Sequence, residues 1–321
     1  MAGGFWFVRI LQTPPNMPTP AGISCTDPVV SAALTAWLVE SRMRLPAGLK
    51  LRIDVVDTVA AVPDPREVFP QGDVEIRAGE PLGWVHLTWR AAPAWARIEA
   101  DRAEATVQLS RAALDQMDYC LRSFLLITFI FLFKRDHRFH MHAATAIDPH
   151  GRGWMLIGDS CSGKSTTSAL FAARGWQVST DDIAFVVDGG DRVAVEGFRS
   201  PLALRAGGQK LLGRTGGIPF PERAKNGFLP EELGGNWVPK VAPEIILFTL
   251  IGDTRTTLVP APKSEIIREM MQWSMWVMFE PTAAQEHLDL IMRLGAQARC
   301  FRASFAPDLF DAPNALEDFL P

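Results

Sequence analysis

Gly158, Asp159, Ser160, Cys161, Ser162, Gly163, Lys164, Ser165 and Thr166 follow one another in a pattern suited to holding phosphate. Glycines at 158 and 163 let the chain curl until successive backbone N–H groups converge on one anion. A helix starting behind the loop points its positive end at the same anion. Lys164 reaches the outer phosphates of a nucleotide such as ATP, and the Ser165 hydroxyl takes one position on Mg2+. Cys161 supplies a backbone N–H. Its thiol beside a lysine and a helix N-terminus makes redox inhibition a side reading.

The flanks come in the order such a loop requires. Trp154-Met155-Leu156-Ile157 is an apolar run that reads as a buried strand. Residues 164–174 are rich in Ala, Ser and Thr, and Gly175 stands where a helix C-cap belongs. The next strand, Trp176-Gln177-Val178-Ser179-Thr180, delivers Asp181 and Asp182 to its carboxyl end. In a parallel α/β sheet that end is where ligands bind. One carboxylate there can hold magnesium while the other takes a proton from an attacking hydroxyl. Each also raises the pKa of its neighbour.

Other polar groups are less specific. Arg205 or Arg199 can stabilise the charge that builds on a transferring phosphate. They border a Gly- and Pro-rich stretch, 205–240, that carries Lys210, Arg214, Arg223 and Lys225. That stretch reads equally as a lid closing over the site or as a solvated connector. His137, His140 and His142 lie just upstream of the loop, with no Cys or HExxH partner to make a metal site.

The run Gly158-Asp159-Ser160-x-x-Gly163-Lys164-Ser165, then Arg174-Gly175, then Asp181-Asp182, resembles the catalytic domain of HPr kinase/phosphorylase. That family carries the same elements at the same separations, with a histidine on the strand upstream that His142 resembles. The resemblance implies transfer of phosphate from ATP to a serine hydroxyl of a small protein, on a P-loop domain akin to that of phosphoenolpyruvate carboxykinase. It implies Asp181 as base, Asp182 as magnesium partner and His142 close by. After the Asp pair the chain departs from the family's Arg-Gly-Leu-Gly-Ile-type signature and reads Phe198-Arg199-Ser200-Pro201-Leu202-Ala203-Leu204-Arg205. Position 166 is Thr where the family often has an acidic residue. The 198–205 segment is more like that of divergent kinases related to HPr kinase, some of which phosphorylate a precursor peptide.

The elements that must position these residues follow from patterning. Residues 1–110 alternate apolar and polar side chains around 49–56, 73–77, 85–89, 96–100 and 105–109, with Pro- and Gly-rich spacers at 13–22 and 60–72. They predict a small antiparallel α+β domain with one helix near 29–39. Trp84, Trp89 and Trp95 read as core or sheet-face packing before a peptide groove. Residues 111–321 form the expected catalytic domain, so the fold class is α/β, a P-loop kinase domain of the HPr kinase type with a smaller N-terminal domain. Residues 183–187 and 193–195 flank a hairpin turn, and 245–251 is another buried strand.

Composition sets the limits. A chain of 321 residues has room for two domains, and a net charge of −4 gives no argument for nucleic acid. Cys25, Cys120, Cys161 and Cys300 are too scattered for a zinc site or a disulfide framework, as in a cytoplasmic protein. The apolar run 124–133 is far short of the roughly 20 residues a membrane span needs and fits a buried helix over 110–133. No signal peptide is read at the N-terminus. The expectation is an ATP- and magnesium-dependent kinase acting on a serine of a small protein or peptide, with homo-oligomerisation left open. A small-molecule hydroxyl kinase and a non-catalytic ATP sensor are the alternatives.

Overall fold

The computed structural model describes residues 19–60, 67–78, 84–99, 101–274 and 281–311. The chain divides into two compact units, Met1–Arg138 and Phe139–Pro321. Both mix helices with sheets, as the α/β class requires. Among the described residues no helix is long and apolar enough to cross a membrane.

The first unit is built on β1 (Ile23–Cys25), β2 (Lys50–Val56), β3 (Glu67–Gln71), β4 (Val74–Ala78), β5 (Trp84–Trp89), β6 (Ala94–Glu99) and β7 (Glu104–Ser110). Their order across the sheet is β1-β2-β7-β6-β5-β4-β3. The sheet is mixed where an antiparallel one was expected, because β2 pairs parallel with both β1 and β7. β3 lies inside the expected 60–72 spacer; it is an edge strand, where the missing N–H of Pro70 breaks no ladder. The helix Pro28–Glu40 matches expectation, with Asp27 capping Val29 and Val30 and Pro28 opening the first turn.

The helical segment after β7 belongs to this unit, so the division falls at 138/139 and not at 110/111. Its last helix, Leu126–Lys134, is buried along its whole length. Phe129 packs on Trp37 at 5.7 Å, and Arg135 donates to the carbonyl of Glu99 at 3.0 Å. Trp89 is core, stacked on Phe124 at 6.1 Å. Trp84 and Trp95 pack on the opposite sheet face, 4.1 and 5.8 Å from His86.

The second unit's central sheet contains β9 (Ala144–Ile147), β10 (Gly153–Ile157), β11 (Gln177–Thr180), β17 (Asn236–Trp237), β19 (Pro243–Ile251), β20 (Thr257–Pro260) and β21 (Arg299–Phe305), ordered β17-β11-β9-β10-β19-β21-β20. β8 (Phe139–His142), β12 (Ile183–Asp188), β13 (Val193–Gly197) and β18 (Lys240–Val241) make a second sheet, ordered β18-β13-β12-β8. β14 (Leu202–Leu204), β15 (Ile218–Phe220) and β16 (Lys225–Phe228) make a third, with β16 in the middle.

β10 is buried on both faces, as its unbroken apolar run requires. Trp154 and Leu156 join Phe171 of the helix Lys164–Ala173, while Met155 and Ile157 join Ile266, Met270 and Ile291 of the helices Lys263–Gln272 and Pro281–Gln297. β9 stands between β10 and β11, antiparallel to both, so the central sheet is mixed rather than parallel. One antiparallel neighbour shared by two strands leaves those two pointing the same way. The carboxyl ends of β10 and β11 therefore share one edge.

The turn from β9 to β10 is closed by Asp148. Its carboxylate accepts from the backbone of His150 and Arg152 at 2.9 Å each, from Arg152 Nε at 2.6 Å and from the indole of Trp154 at 3.0 Å. Burial pushes its pKa up, but the Arg152 N–H groups and the indole outweigh that and leave it lowered. Asp148→Ala orphans a buried indole N–H, and we expect a loss of roughly 2–4 kcal/mol in urea denaturation at neutral pH. A carboxylate with a lowered folded pKa stabilises above its unfolded value and loses that contribution as pH falls. The gap between wild type and variant should therefore narrow in acid, below about pH 4.

Candidate active site

Beyond Ile157 the chain turns through Gly158 at φ 144°, where a Cβ would lie 2.7 Å from the Thr249 carbonyl. Cys161 at φ 68° and Gly163 at φ 97° complete the curl, and Gly163 opens the helix Lys164–Ala173. Thr249 supports the loop from β19: its hydroxyl donates to Ile157 at 3.0 Å and meets the Ser162 hydroxyl at 2.7 Å. Lys164 is buried and its ammonium arches over the loop, donating to the carbonyls of Gly158 at 2.7 Å and Asp159 at 2.9 Å. Burial lowers its pKa against the opposing pull of Asp182, Asp181 and Asp159. Asp159, Ser160 and Cys161 are exposed on the crest, while Ser165 and Thr166 are half-buried in the first turn.

β11 ends at Thr180, whose hydroxyl accepts from the N–H groups of Asp182 at 3.3 Å and Ile183 at 3.1 Å, shaping the turn that carries both aspartates. Asp181 is buried; it accepts from the Ala203 N–H at 3.3 Å, and the nearby Ser165 hydroxyl pulls its pKa down. Burial, then the charge of Asp182, raises its pKa. Asp182 behaves oppositely. Burial pushes its pKa up, but the hydrogen bond from His142 and the charges of His142, Arg223 and Lys225 drive it well below the usual carboxylate range. The His142 Nδ1–Asp182 Oδ1 distance is 2.5 Å and Arg223 Nη1–Asp182 Oδ2 is 3.3 Å.

His142 reaches Asp182 because the chain changes sheets at Ala143. β8 ends at His142 and pairs with β12 so that His142 stands opposite Ile183, while β9 begins at Ala144 in the other sheet. Its ring lies 6.0 Å from that of Trp273, and its backbone N–H donates to the Trp273 carbonyl at 3.3 Å. His140, one pleat back, packs edge-on to Phe185; burial, then the charge of His142, lowers its pKa to about 4.

The cations beside the carboxylates are Arg223 and Lys225. Arg205 is exposed at the start of the helix Ala206–Leu211, and Arg199 pairs with Glu231 at 3.3 Å. The 205–240 stretch, expected as a lid or connector, is built instead from that helix, β15, β16 and the helix Pro230–Leu233. Arg223 and Lys225 flank Ala224, held at φ 50°. A left-handed non-glycine residue costs about 1 kcal/mol, and such strain collects at functional sites. The basic run in that stretch was the available signal, but patterning did not show which of its cations return to the loop.

Thr166 acquires a structural account. A Cβ on Gly208 would lie 2.8 Å from Thr166 Oγ1, so the helix Ala206–Leu211 sits directly against the first turn behind the loop. Arg174 turns away from the site and donates to the Leu309 carbonyl at 2.8 Å. Among the described residues no group of three or more His, Cys, Asp or Glu side chains could hold a metal. Ser165 and Asp182 instead offer a hydroxyl and an ionised carboxylate, hard oxygen donors of the kind magnesium takes alongside water and phosphate.

Replacing His142 with Ala removes the largest influence holding the Asp182 pKa down. Its carboxyl carbon, followed by NMR titration, should then protonate at a higher pH than in wild type. No family model matches the chain, and no curated protein matches it.

Proposed function

We propose that this chain is an ATP- and magnesium-dependent kinase that transfers the γ-phosphate to a hydroxyl, that of a serine on a small protein or precursor peptide. The observation that carries this reading is the meeting of the glycine loop with the aspartate pair at one sheet edge, where Asp181 and Asp182 act on the Lys164 ammonium and the Ser165 hydroxyl acts on Asp181. A loop that only bound phosphate would have no use for two carboxylates held in opposite protonation tendencies.

The two aspartates divide the work as their surroundings dictate. Asp181, with its raised pKa, is the better proton acceptor, and its burial beside Ser165 sets it next to the outer phosphates. Asp182, kept ionised by His142 and Arg223, suits magnesium, with Ser165 as the second protein ligand. Magnesium bound there neutralises charge on the outer phosphates. As the acceptor oxygen bonds to the γ-phosphorus, the bond to the β-phosphate oxygen breaks and ADP carries away the electron pair. The acceptor proton passes to the Asp181 carboxylate. Lys164, Arg223 and Lys225 supply the positive charge that phosphoryl transfer demands. This role was expected of Arg205 or Arg199. The resemblance of the loop, the Asp pair and His142 to HPr kinase supports a serine acceptor.

ADP release from Mg-ATP, measured beside nucleotide-binding titrations, tests the reading. Wild type should turn over slowly with water as acceptor, and Lys164→Ala should lose nucleotide binding. Asp181→Asn should bind ATP but fall by about 100-fold in turnover, the low end of general-base contributions. Arg223→Ala should bind nucleotide normally and fall by about tenfold. Wild type that binds ATP without turnover would reject the kinase in favour of a sensor, and turnover unchanged in Asp181→Asn would remove Asp181 as the base.

A further inference from the structure

We propose that Ile251, at the end of β19, is the apolar floor on which the nucleoside of the bound nucleotide rests. This assignment rests on the kinase reading and adds a subsite to it. The strand order gives the direction. Across β9, β11 lies on one side of β10 and brings Asp181 and Asp182, while β19 is the immediate neighbour on the other side. The outer phosphates face the aspartates, because Lys164 and Ser165 are the loop residues that meet them. A triphosphate laid along the loop therefore points its nucleoside toward β19.

What stands there is already built. β10 ends at Ile157, opposite Phe248, but β19 runs on through Thr249, Leu250 and Ile251 alongside the loop. Ile251 Cδ1 lies 3.3 Å from the position of a Cβ on Gly163, so the side chain touches the last glycine of the loop while remaining 64% exposed. An exposed isoleucine alone signifies little. One in contact with a phosphate loop, on the side where a nucleoside must lie, has a use. Its backbone is fixed by β21, with which β19 pairs as far as Ile251–Phe305. The Gly252 N–H then donates to Phe305 at 2.7 Å. The following loop is pinned where the Thr256 hydroxyl donates to Asp308 at 2.6 Å and accepts from the Ala306 N–H at 3.1 Å. A rigid apolar surface is what the face of a base or sugar needs, since little ordering remains to be done on binding.

Inorganic tripolyphosphate carries the phosphates without the nucleoside, and so separates this subsite from the loop. Isothermal titration of wild type, Ile251→Ser and Ile251→Leu with ATP and with tripolyphosphate, both with magnesium, is the experiment. Ile251→Ser should weaken ATP about tenfold and leave tripolyphosphate unchanged, and Ile251→Leu should restore ATP binding. ATP affinity unchanged in Ile251→Ser overturns the subsite while leaving the kinase intact. Equal weakening of both ligands also overturns it, since Ile251 would then only support the loop. Wild type binding neither ligand rejects the kinase reading and the subsite together.

Discussion

Two carboxylates on consecutive residues repel each other, and taking them out of water makes the repulsion stronger. The turn at Asp181 and Asp182 does this fully to Asp181 and in part to Asp182 at the end of β11, and much of the second unit is arranged around the consequence. The compensating groups come from several elements. Lys164 and Ser165 come from the first turn of the helix Lys164–Ala173, His142 from the end of β8, Arg223 from just before β16 and Lys225 from its first residue. The outcome is asymmetric. Asp181 is left with the Ala203 amide as donor, and Asp182 collects the ion pairs. One pair of identical side chains thereby acquires two chemistries.

How much of this could be read from the chain depended on distance along it. The loop, the strand before it, the helix behind it and the β12–β13 hairpin are local, and residue types over a few positions specify them. His142 and the aspartates were likewise recognisable as candidates. Their convergence was not, because it depends on the switch of sheets at Ala143, which no periodicity marks: 142–147 is one continuous extended run in sequence. Arg223 was hidden for a related reason. A stretch rich in Gly and Pro looks like loop from its composition, whereas β16 is specified by pairing on both sides with β14 and β15.

The first unit shows the same limit in another form. The apolar residues 124–133 are helical and largely buried, but the single helix expected over 110–133 breaks at Asp115–Gln116 and passes through a π-helical turn at Leu121–Leu125. Their allegiance went unread, because covalent neighbourhood to the His142 strand says nothing about packing. The contact of Phe129 with Trp37, far apart in sequence, settles it. In the sheet, the parallel pairing of β2 with β7 is long-range and leaves no trace in the alternation of either strand.

The arch of Lys164 over the carbonyls of Gly158 and Asp159 has a thermodynamic meaning of its own. Its ammonium is buried and already has acceptors, so on the proposed kinase reading an arriving phosphate would not meet an unsolvated charge waiting for a partner. It enters a competition, in which two backbone acceptors must be given up for phosphate oxygens. The enthalpy gained is the difference between those bonds. Weak single anions gain little from such an exchange, whereas a chain of phosphates that also engages the loop's N–H groups gains at several points at once. On the proposed kinase reading, the lysine would set a threshold that filters ligands by the number of phosphates they carry.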